Sequence, residues 1–158
     1  MGDELRDEGA ADPLRQALQG MWGSVAPAWA DHADYVDDRA TPVTIALLEG
    51  ADVGPGHRVL ELACGAGGVG LAAAPRVGAD GEVVITDVAP GMVEAAARRA
   101  EAAGLANVTT AVRDLESIDE PDAAFDAVVC REGLMFAVEP ARAAAEVRRV
   151  LRPGGRAA

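Results

Sequence analysis

Short apolar runs alternate with alanine-rich segments over the C-terminal two thirds of the chain. Four runs have the length and composition of buried strands, namely HRVLEL, EVVITD, NVTTAV and FDAVVC. The segments GVGLAAAPRV, APGMVEAAARRAEAAG and PARAAAEVRRVL predict helices, and RPGGRAA leads toward a fifth strand. Strands that alternate with helices form βαβ units. The pattern therefore predicts an α/β fold with a parallel sheet and helices on both faces.

The N-terminal third has a different pattern of apolar and polar positions. Residues 1–12 are rich in charges without periodicity, which predicts a frayed end. Beyond them, PLRQALQGMWGSVAPAWADHADYVDD predicts two short helices with a break around residues 20–27. The following TPVTIALLEGADV predicts another helix, with Thr41 as the N-cap, Pro42 at the first helical position and Gly50 at the end.

Composition and charge favour a small-molecule partner. The chain has 158 residues, half of them apolar, which suits one domain with a sizeable core. Its formal net charge of −12 would repel nucleic acid. We expect a cytoplasmic protein, because no apolar run has the length of a membrane span and the acidic N-terminus lacks a signal-peptide core. Cys64 and Cys130 lie in apolar runs and are expected to be buried free thiols rather than a disulfide or a metal pair.

The stretch GAGGVG carries the first candidate chemistry. Gly65, Gly67 and Gly70 fit the pattern G-x-G-x-x-G, which here follows a predicted strand and opens a predicted helix. Without a Cβ, such a turn is tight and a ligand can lie against its backbone. The N–H groups at the start of the helix can hold a carboxylate or phosphate. The alternative is a tight turn between strand and helix that binds nothing.

Three acidic residues stand near the ends of the first three predicted strands. Glu61 lies four residues before Gly65, Asp87 ends EVVITD, and Asp114 follows NVTTAV. The two oxygens of Asp87 match the two hydroxyls of a ribose, and Asp114 is placed to accept from an adenine amino group. Three carboxylates in one crevice would repel a pyrophosphate and would suit a ligand with a sulfonium and an ammonium. The alternatives are a helix-cap acceptor for Glu61, a turn residue for Asp87 and a surface acid for Asp114.

These motifs occur in a recognisable order. VLELACGAGGVG, VVITDVAPGMVEAA, RDLES and FDAVVCREGLMFAVEPARAAAEVRRVLRPGG together resemble the class I S-adenosylmethionine-dependent methyltransferases. The chain is most similar to the branch that includes the ubiquinone and menaquinone biosynthesis methyltransferases, over residues 43–156. The resemblance implies a Rossmann-like, doubly wound and mostly parallel sheet, with S-adenosylmethionine as the cofactor in its crevice and no metal.

Ten positions acquire a cofactor-binding role from this resemblance. By the part of S-adenosylmethionine that they would contact, they are Glu61, Ala63, Gly65 and Gly67 for the methionine part, Asp87 for the ribose, Val88 and Met92 beside the adenine, Asp114 and Leu115 at the adenine edge, and Arg131 near the sulfonium and the acceptor. Ala63 stands where many members of the family have the first glycine of the loop.

No residue is assigned as catalytic. His32 is a candidate base with a surface or core role as the alternative, and Glu132 is another with a cap or surface role as the alternative. The aromatic residues Trp22, Trp29 and Tyr35 could cover the cofactor, and Met135 and Phe136 could line an acceptor pocket. The alternative, which residues of this type more often fulfil, is an ordinary core role for all five.

The family's sheet has seven strands, and this sequence stops where the fifth begins. We therefore divide the chain into residues 1–40, a tail with lid-like helices, and residues 41–158, a cofactor-binding core that is incomplete at its C-terminal end. Such a sheet would end near FDAVVC with at most a stub beside it, and an unpaired strand edge can pair with another chain. We expect the 158-residue chain to self-associate or to be marginally stable, and to transfer methyl groups poorly or not at all.

The leading functional interpretation is methyl transfer from S-adenosylmethionine to a small-molecule acceptor by in-line displacement. One alternative is a non-catalytic S-adenosylmethionine-binding module or fragment. Another is an NAD-dependent oxidoreductase, which the glycine pattern favours and the acidic crevice opposes.

Overall fold

A computed structural model describes residues 13–158, which form five helices and five strands. The helices are α1 (Pro13–Asp31), α2 (Ala33–Gly50), α3 (Gly68–Val77), α4 (Pro90–Ala102) and α5 (Pro140–Val150). The strands are β1 (Arg58–Glu61), β2 (Glu82–Asp87), β3 (Val108–Val112), β4 (Phe125–Val129) and β5 (Leu151–Ala157). A short 3-10 helix, Leu134–Phe136, lies between β4 and α5.

All five strands belong to one parallel sheet with the order β3-β2-β1-β4-β5. The chain moves outward from β1 through β2 to β3 and then returns to place β4 on the other side of β1. The strand order reverses at that point, which opens a crevice beyond the carboxyl ends of the strands. The predicted Rossmann-like, doubly wound parallel sheet is confirmed.

The core consists of two apolar layers, one on each face of the sheet. Successive residues of a strand point to opposite faces, so Val59 and Leu60 enter different layers. One layer joins the sheet to α2, α3 and α4, and the other joins it to α5 and the loop after β3. Because both faces are covered, the inner strands β1, β2 and β4 are mostly buried, whereas the edge strands β3 and β5 are more exposed.

The N-terminal helices differ from their prediction. Helix α1 continues through residues 20–27 with Pro27 inside it, and α2 continues through Thr41 and Pro42. Thr41 caps nothing, because its Oγ1 donates to the Asp37 carbonyl oxygen one turn earlier (2.9 Å). Packing outweighs local preference here, since Ala26 and both tryptophans of α1 pack against Ala89 and Met92 at the start of α4. No helix end marks the predicted domain boundary at residue 40.

The expected unprotected edge at β4 is also wrong. Strand β5 pairs with β4 along its length, with Phe125 opposite Leu151 and Val128 opposite Ala157. The register shifts between these pairs, where Arg152 to Gly155 form a bulge opposite Asp126. The central position of β4 explains why it is apolar on both faces. Self-association of the chain stays a prediction.

Two smaller expectations concern helices and cysteines. In residues 13–158 no helix combines the length and apolarity needed to cross a membrane. Cys64 and Cys130 are both free thiols, with Cys64 buried and Cys130 partly buried. The prediction of free thiols is confirmed, although Cys130 is less buried than expected.

Candidate functional site

A cavity of about 440 Å³ lies at the carboxyl ends of β1, β2, β3 and β4. Its volume is within the usual range for small-molecule sites. Nine of the ten positions predicted to bind a cofactor line it: Glu61, Ala63, Gly65, Asp87, Val88, Met92, Asp114, Leu115 and Arg131. The topology therefore brings together residues that are up to 70 positions apart in sequence (Glu61 to Arg131).

The floor of the cavity is the loop between β1 and α3. Ala63 and Gly65 both have left-handed backbone conformations, with φ of 50° and 55°. The N–H of Gly65 donates to Asp87 Oδ2 at 2.9 Å, which ties the loop to the end of β2. A Cβ at Gly133 would overlap the Cβ of Ala63, so glycine there lets the loop after β4 lie directly on this floor.

The tenth predicted position, Gly67, faces away from the cavity. It has φ of 84°, and a Cβ there would lie 2.8 Å from the Cβ of Ala96 in α4. The sequence pattern predicts that this glycine allows a ligand to come close to the backbone. In the structure it is helix α4 that lies close to the backbone of Gly67. Gly67 thus sets the spacing between the loop and the helix behind it.

Glu61 is buried at the end of β1 with an exposed fraction of 2%. Its Oε2 accepts from the Gly70 N–H at 2.8 Å and its Oε1 from the Val69 N–H at 3.2 Å. Both donors belong to the first turn of α3, so the helix-cap alternative describes this side chain, which also reaches the cavity. Burial raises the pKa of Glu61 to about 8, although the two N–H groups and Arg131 oppose the shift.

This raised pKa predicts a pH dependence of stability. Between pH 4.5 and 8 the folded chain holds a proton on Glu61 that the unfolded chain lacks, so the free energy of unfolding falls as the pH rises. The isolated contribution of one such proton is about 1.4 kcal/mol per pH unit. We expect denaturant titrations to show that the free energy of unfolding of the parent, relative to that of Glu61→Gln, falls as the pH rises across this range. A difference that is independent of pH would show that Glu61 is ionised throughout.

Asp87 ends β2 with both carboxylate oxygens engaged. Oδ2 accepts from Gly65 N–H and Oδ1 from Ala89 N–H, each at 2.9 Å, and the residue is 7% exposed. Burial raises the pKa of Asp87 above its usual value, although these backbone hydrogen bonds oppose the shift. Each oxygen can accept a further hydrogen bond from the cavity side. Asp87 therefore holds the loop in place and remains available to a ligand hydroxyl.

The β3 end of the cavity contains an ion cluster that sequence reasoning missed. Asp114 Oδ1 accepts from the Glu116 N–H at 2.8 Å, and Arg15 of α1 approaches Asp114 Oδ2 at 3.5 Å. Arg15 also pairs with buried Glu116 and, at 3.2 Å, with Glu139. Glu116 further accepts from the Val138 N–H. Nothing in the spacing of Arg15 pointed to this role, because 101 residues separate it from Glu116.

Aromatic and thioether side chains cover the cavity. Trp22 packs edge-on against Phe136, with ring centroids 5.0 Å apart, and against Trp29 at 6.3 Å. These three residues and Met135 line the cavity. Tyr35 does not share this position, since it is 63% exposed and lies beside Arg39.

The candidate bases differ in position. Glu132 lines the cavity in a left-handed conformation with φ of 58°. His32 is exposed at the junction between α1 and α2, outside the lining of the cavity. The structure therefore leaves Glu132 as the one of these two that a ligand in the cavity can reach. Arg131, the neighbour of Glu132, also lines the cavity and is bonded to α2.

Comparisons with known proteins address the family. The sequence model described as "Methyltransferase domain" matches residues 59–155. A ubiquinone/menaquinone biosynthesis C-methyltransferase UbiE from Bordetella avium is 42% identical over 106 residues, which cover 67% of this chain and 41% of that protein. The chain spans about half the length of the curated relatives it matches.

Two solved structures have the same fold. An S-adenosylmethionine-dependent methyltransferase from Aquifex aeolicus is 25% identical with a TM-score of 0.69, over 78% of this chain and 68% of that one. The [4+2]-cyclase SpnF is 27% identical with a TM-score of 0.78, over 92% of this chain and 60% of that one. The family model covers well over half of the chain and agrees with the sheet order and the crevice. The chain therefore belongs to the methyltransferase-domain family, within the class I S-adenosylmethionine-dependent methyltransferases.

Proposed function

We propose that this chain binds S-adenosylmethionine in the cavity and takes part in methyl transfer to a small-molecule acceptor by in-line displacement. The observation that carries the proposal is the row of acids across the crevice, one at the end of each of β1, β2 and β3. The row supplies acceptors for ribose hydroxyls and an adenine amino group, and the carboxylates of Asp87 and Asp114 favour a ligand that carries cationic sulfonium and ammonium groups.

The order of the strands suggests how the cofactor would lie. Asp114 after β3 would meet the adenine edge, Asp87 at the end of β2 would meet the ribose, and the loop after β1 would meet the methionine part. Val88 and Met92 supply an apolar surface beside the adenine position. The donor and acceptor groups of the cavity therefore fit S-adenosylmethionine from one end to the other.

The cofactor supplies an activated methyl group when it is bound, so the protein needs little covalent chemistry of its own. What this chain contributes is orientation and the exclusion of water. The loop tied by Asp87 fixes the floor, and Trp22, Trp29 and Phe136 close the other side. Glu132 is available at the cavity wall for an acceptor that must lose a proton.

The lining favours an acceptor with a flat or apolar body. Trp22, Phe136 and Met135 all line the cavity, and Met135 is 72% exposed. Aromatic and thioether side chains of this kind contact rings and alkyl groups well. The similarity to a ubiquinone/menaquinone biosynthesis methyltransferase supports the same class of acceptor.

Calorimetry with S-adenosylmethionine, S-adenosylhomocysteine and NAD tests the cofactor. We expect saturable binding of the first two and none of NAD, whereas binding of NAD alone would support an oxidoreductase. Release of S-adenosylhomocysteine in the presence of candidate acceptors then tests the reaction. Tight binding without turnover for every acceptor tried would favour the non-catalytic binding module.

A further inference from the structure

Arg131 is held in the cavity wall by helix α2. It follows β4, and its side chain is 12% exposed. Its Nη1 donates to Thr44 Oγ1 at 2.8 Å and its Nη2 to Asp37 Oδ1 at 3.1 Å. A guanidinium has five N–H donors, so the two bonds to α2 leave others for a ligand. Arg131 is thus a positioned cation at the β1 and β4 end of the cavity.

The positive charge of Arg131 is only partly compensated. Asp37 also binds Arg99, whose Nη2 lies 2.7 Å from Asp37 Oδ2, so one carboxylate serves two guanidinium groups. Asp34 also contacts Arg99, but its side chain is 98% exposed and its charge is screened by water. Glu61 of β1 lines the same cavity as Arg131, but it is buried and both of its carboxyl oxygens accept from N–H groups of α3.

An anion is the ligand group that fits this position. A sulfonium beside Arg131 would be repelled, whereas a carboxylate would be attracted and could take two parallel N–H bonds. Resting on the function proposed above, we infer that Arg131 binds the α-carboxylate of the cofactor's methionine part, with Asp37 and Thr44 as the positioning residues that aim it. Helix α2, whose Val36 and Ala40 also line the cavity, then takes part in cofactor recognition.

The first test compares ligands with and without the amino-acid part. In titrations with S-adenosylhomocysteine, Arg131→Met should weaken binding about 10- to 100-fold, the value of a lost charge-assisted pair. The same variant should bind 5′-methylthioadenosine, which lacks the amino acid, within about twofold of the parent because the nucleoside contacts are intact. Unchanged binding of S-adenosylhomocysteine, or an equal loss for both ligands, would overturn the inference.

The parent chain gives a second test that does not depend on whether a variant folds. The amine obtained by removing only the carboxylate from S-adenosylhomocysteine should bind the parent about 10- to 100-fold more weakly than the intact compound. In Arg131→Met the two compounds should bind alike. A parent that does not distinguish them would show that the carboxylate has no cationic partner here.

The positioning role is tested with two acids of α2. Asp37→Asn removes the charge that aims Arg131, and it should lower affinity for S-adenosylhomocysteine but not for 5′-methylthioadenosine. Asp34→Asn is the matched control, since Asp34 contacts Arg99 and is exposed, and it should leave both affinities unchanged. Equal behaviour of the two variants would remove Asp37 from this role. Failure of the parent to bind S-adenosylhomocysteine would instead refute the proposed function.

Discussion

Replacing Asp87 with alanine is expected to weaken S-adenosylmethionine binding about 10- to 100-fold, which corresponds to about 1.5–3 kcal/mol for hydrogen bonds to a charged group. The ribose hydroxyls would lose the carboxylate that accepts their hydrogen bonds. Its removal also leaves the N–H groups of Gly65 and Ala89 without the acceptor that orients the loop. Calorimetric titration of the purified variant, at a temperature where circular dichroism shows it folded, measures the loss.

Asp114→Ala is the comparison for this prediction. Asp114 is more exposed, and its carboxylate is already engaged by the Glu116 N–H and by Arg15. The adenine edge would make one bond with it and can find water instead, so the loss should be smaller than for Asp87→Ala. An affinity of Asp87→Ala equal to that of the parent would remove Asp87 from the binding site.

Gly67→Val is expected to have the largest effect on stability. Valine at φ of 84° is strained, and its Cβ would press into Ala96 of α4, which is fully buried. Strain and overpacking together should lower the free energy of unfolding by about 2–5 kcal/mol. Urea denaturation followed by circular dichroism measures this loss. Because Gly67 does not line the cavity, S-adenosylmethionine binding should weaken only indirectly, through displacement of the loop.

Gly104→Val provides the matched control. Gly104 has a similar φ of 67°, but a Cβ there would meet nothing within 4 Å. Gly104→Val should therefore lower the free energy of unfolding only by the backbone strain, about 1–2 kcal/mol. The difference between the two variants isolates the contact with α4. If both variants lost the same stability while Gly67→Val alone lost binding, Gly67 would face the ligand as the glycine pattern first suggested.

The sequence predicted the parts of the site that depend on strand order. Glu61, Asp87 and Asp114 follow successive strands of a parallel sheet, and parallel strands end at one edge, so their meeting in a crevice required only the correct strands. Local patterns also identified α3, α4 and α5. What each side chain does there was harder to predict, as Glu61 shows, because its partners are backbone N–H groups of the next helix.

The remaining features depend on contacts between distant segments. Gly65 and Gly67 are indistinguishable in the pattern, yet one lines the cavity and the other faces α4, which only the packed helix decides. Helices α1 and α2 continue through glycine and proline because they pack on α4 and α3. Arg15 and Asp37 could not be predicted as site residues, because they meet Glu116 and Arg131 only when α1 and α2 pack against the rest of the fold.

The cavity wall joins segments that are distant in sequence. Arg15 of α1 is bonded to Glu116 after β3, which in turn accepts from the Val138 N–H before α5. No single βαβ unit contains a complete binding surface, so ligand binding and global folding are thermodynamically linked. A cofactor present at about 100 times its dissociation constant would add about 2.7 kcal/mol to the free energy of unfolding. Occupancy of the cavity by the cofactor would then stabilise the whole fold, including segments that do not touch the ligand.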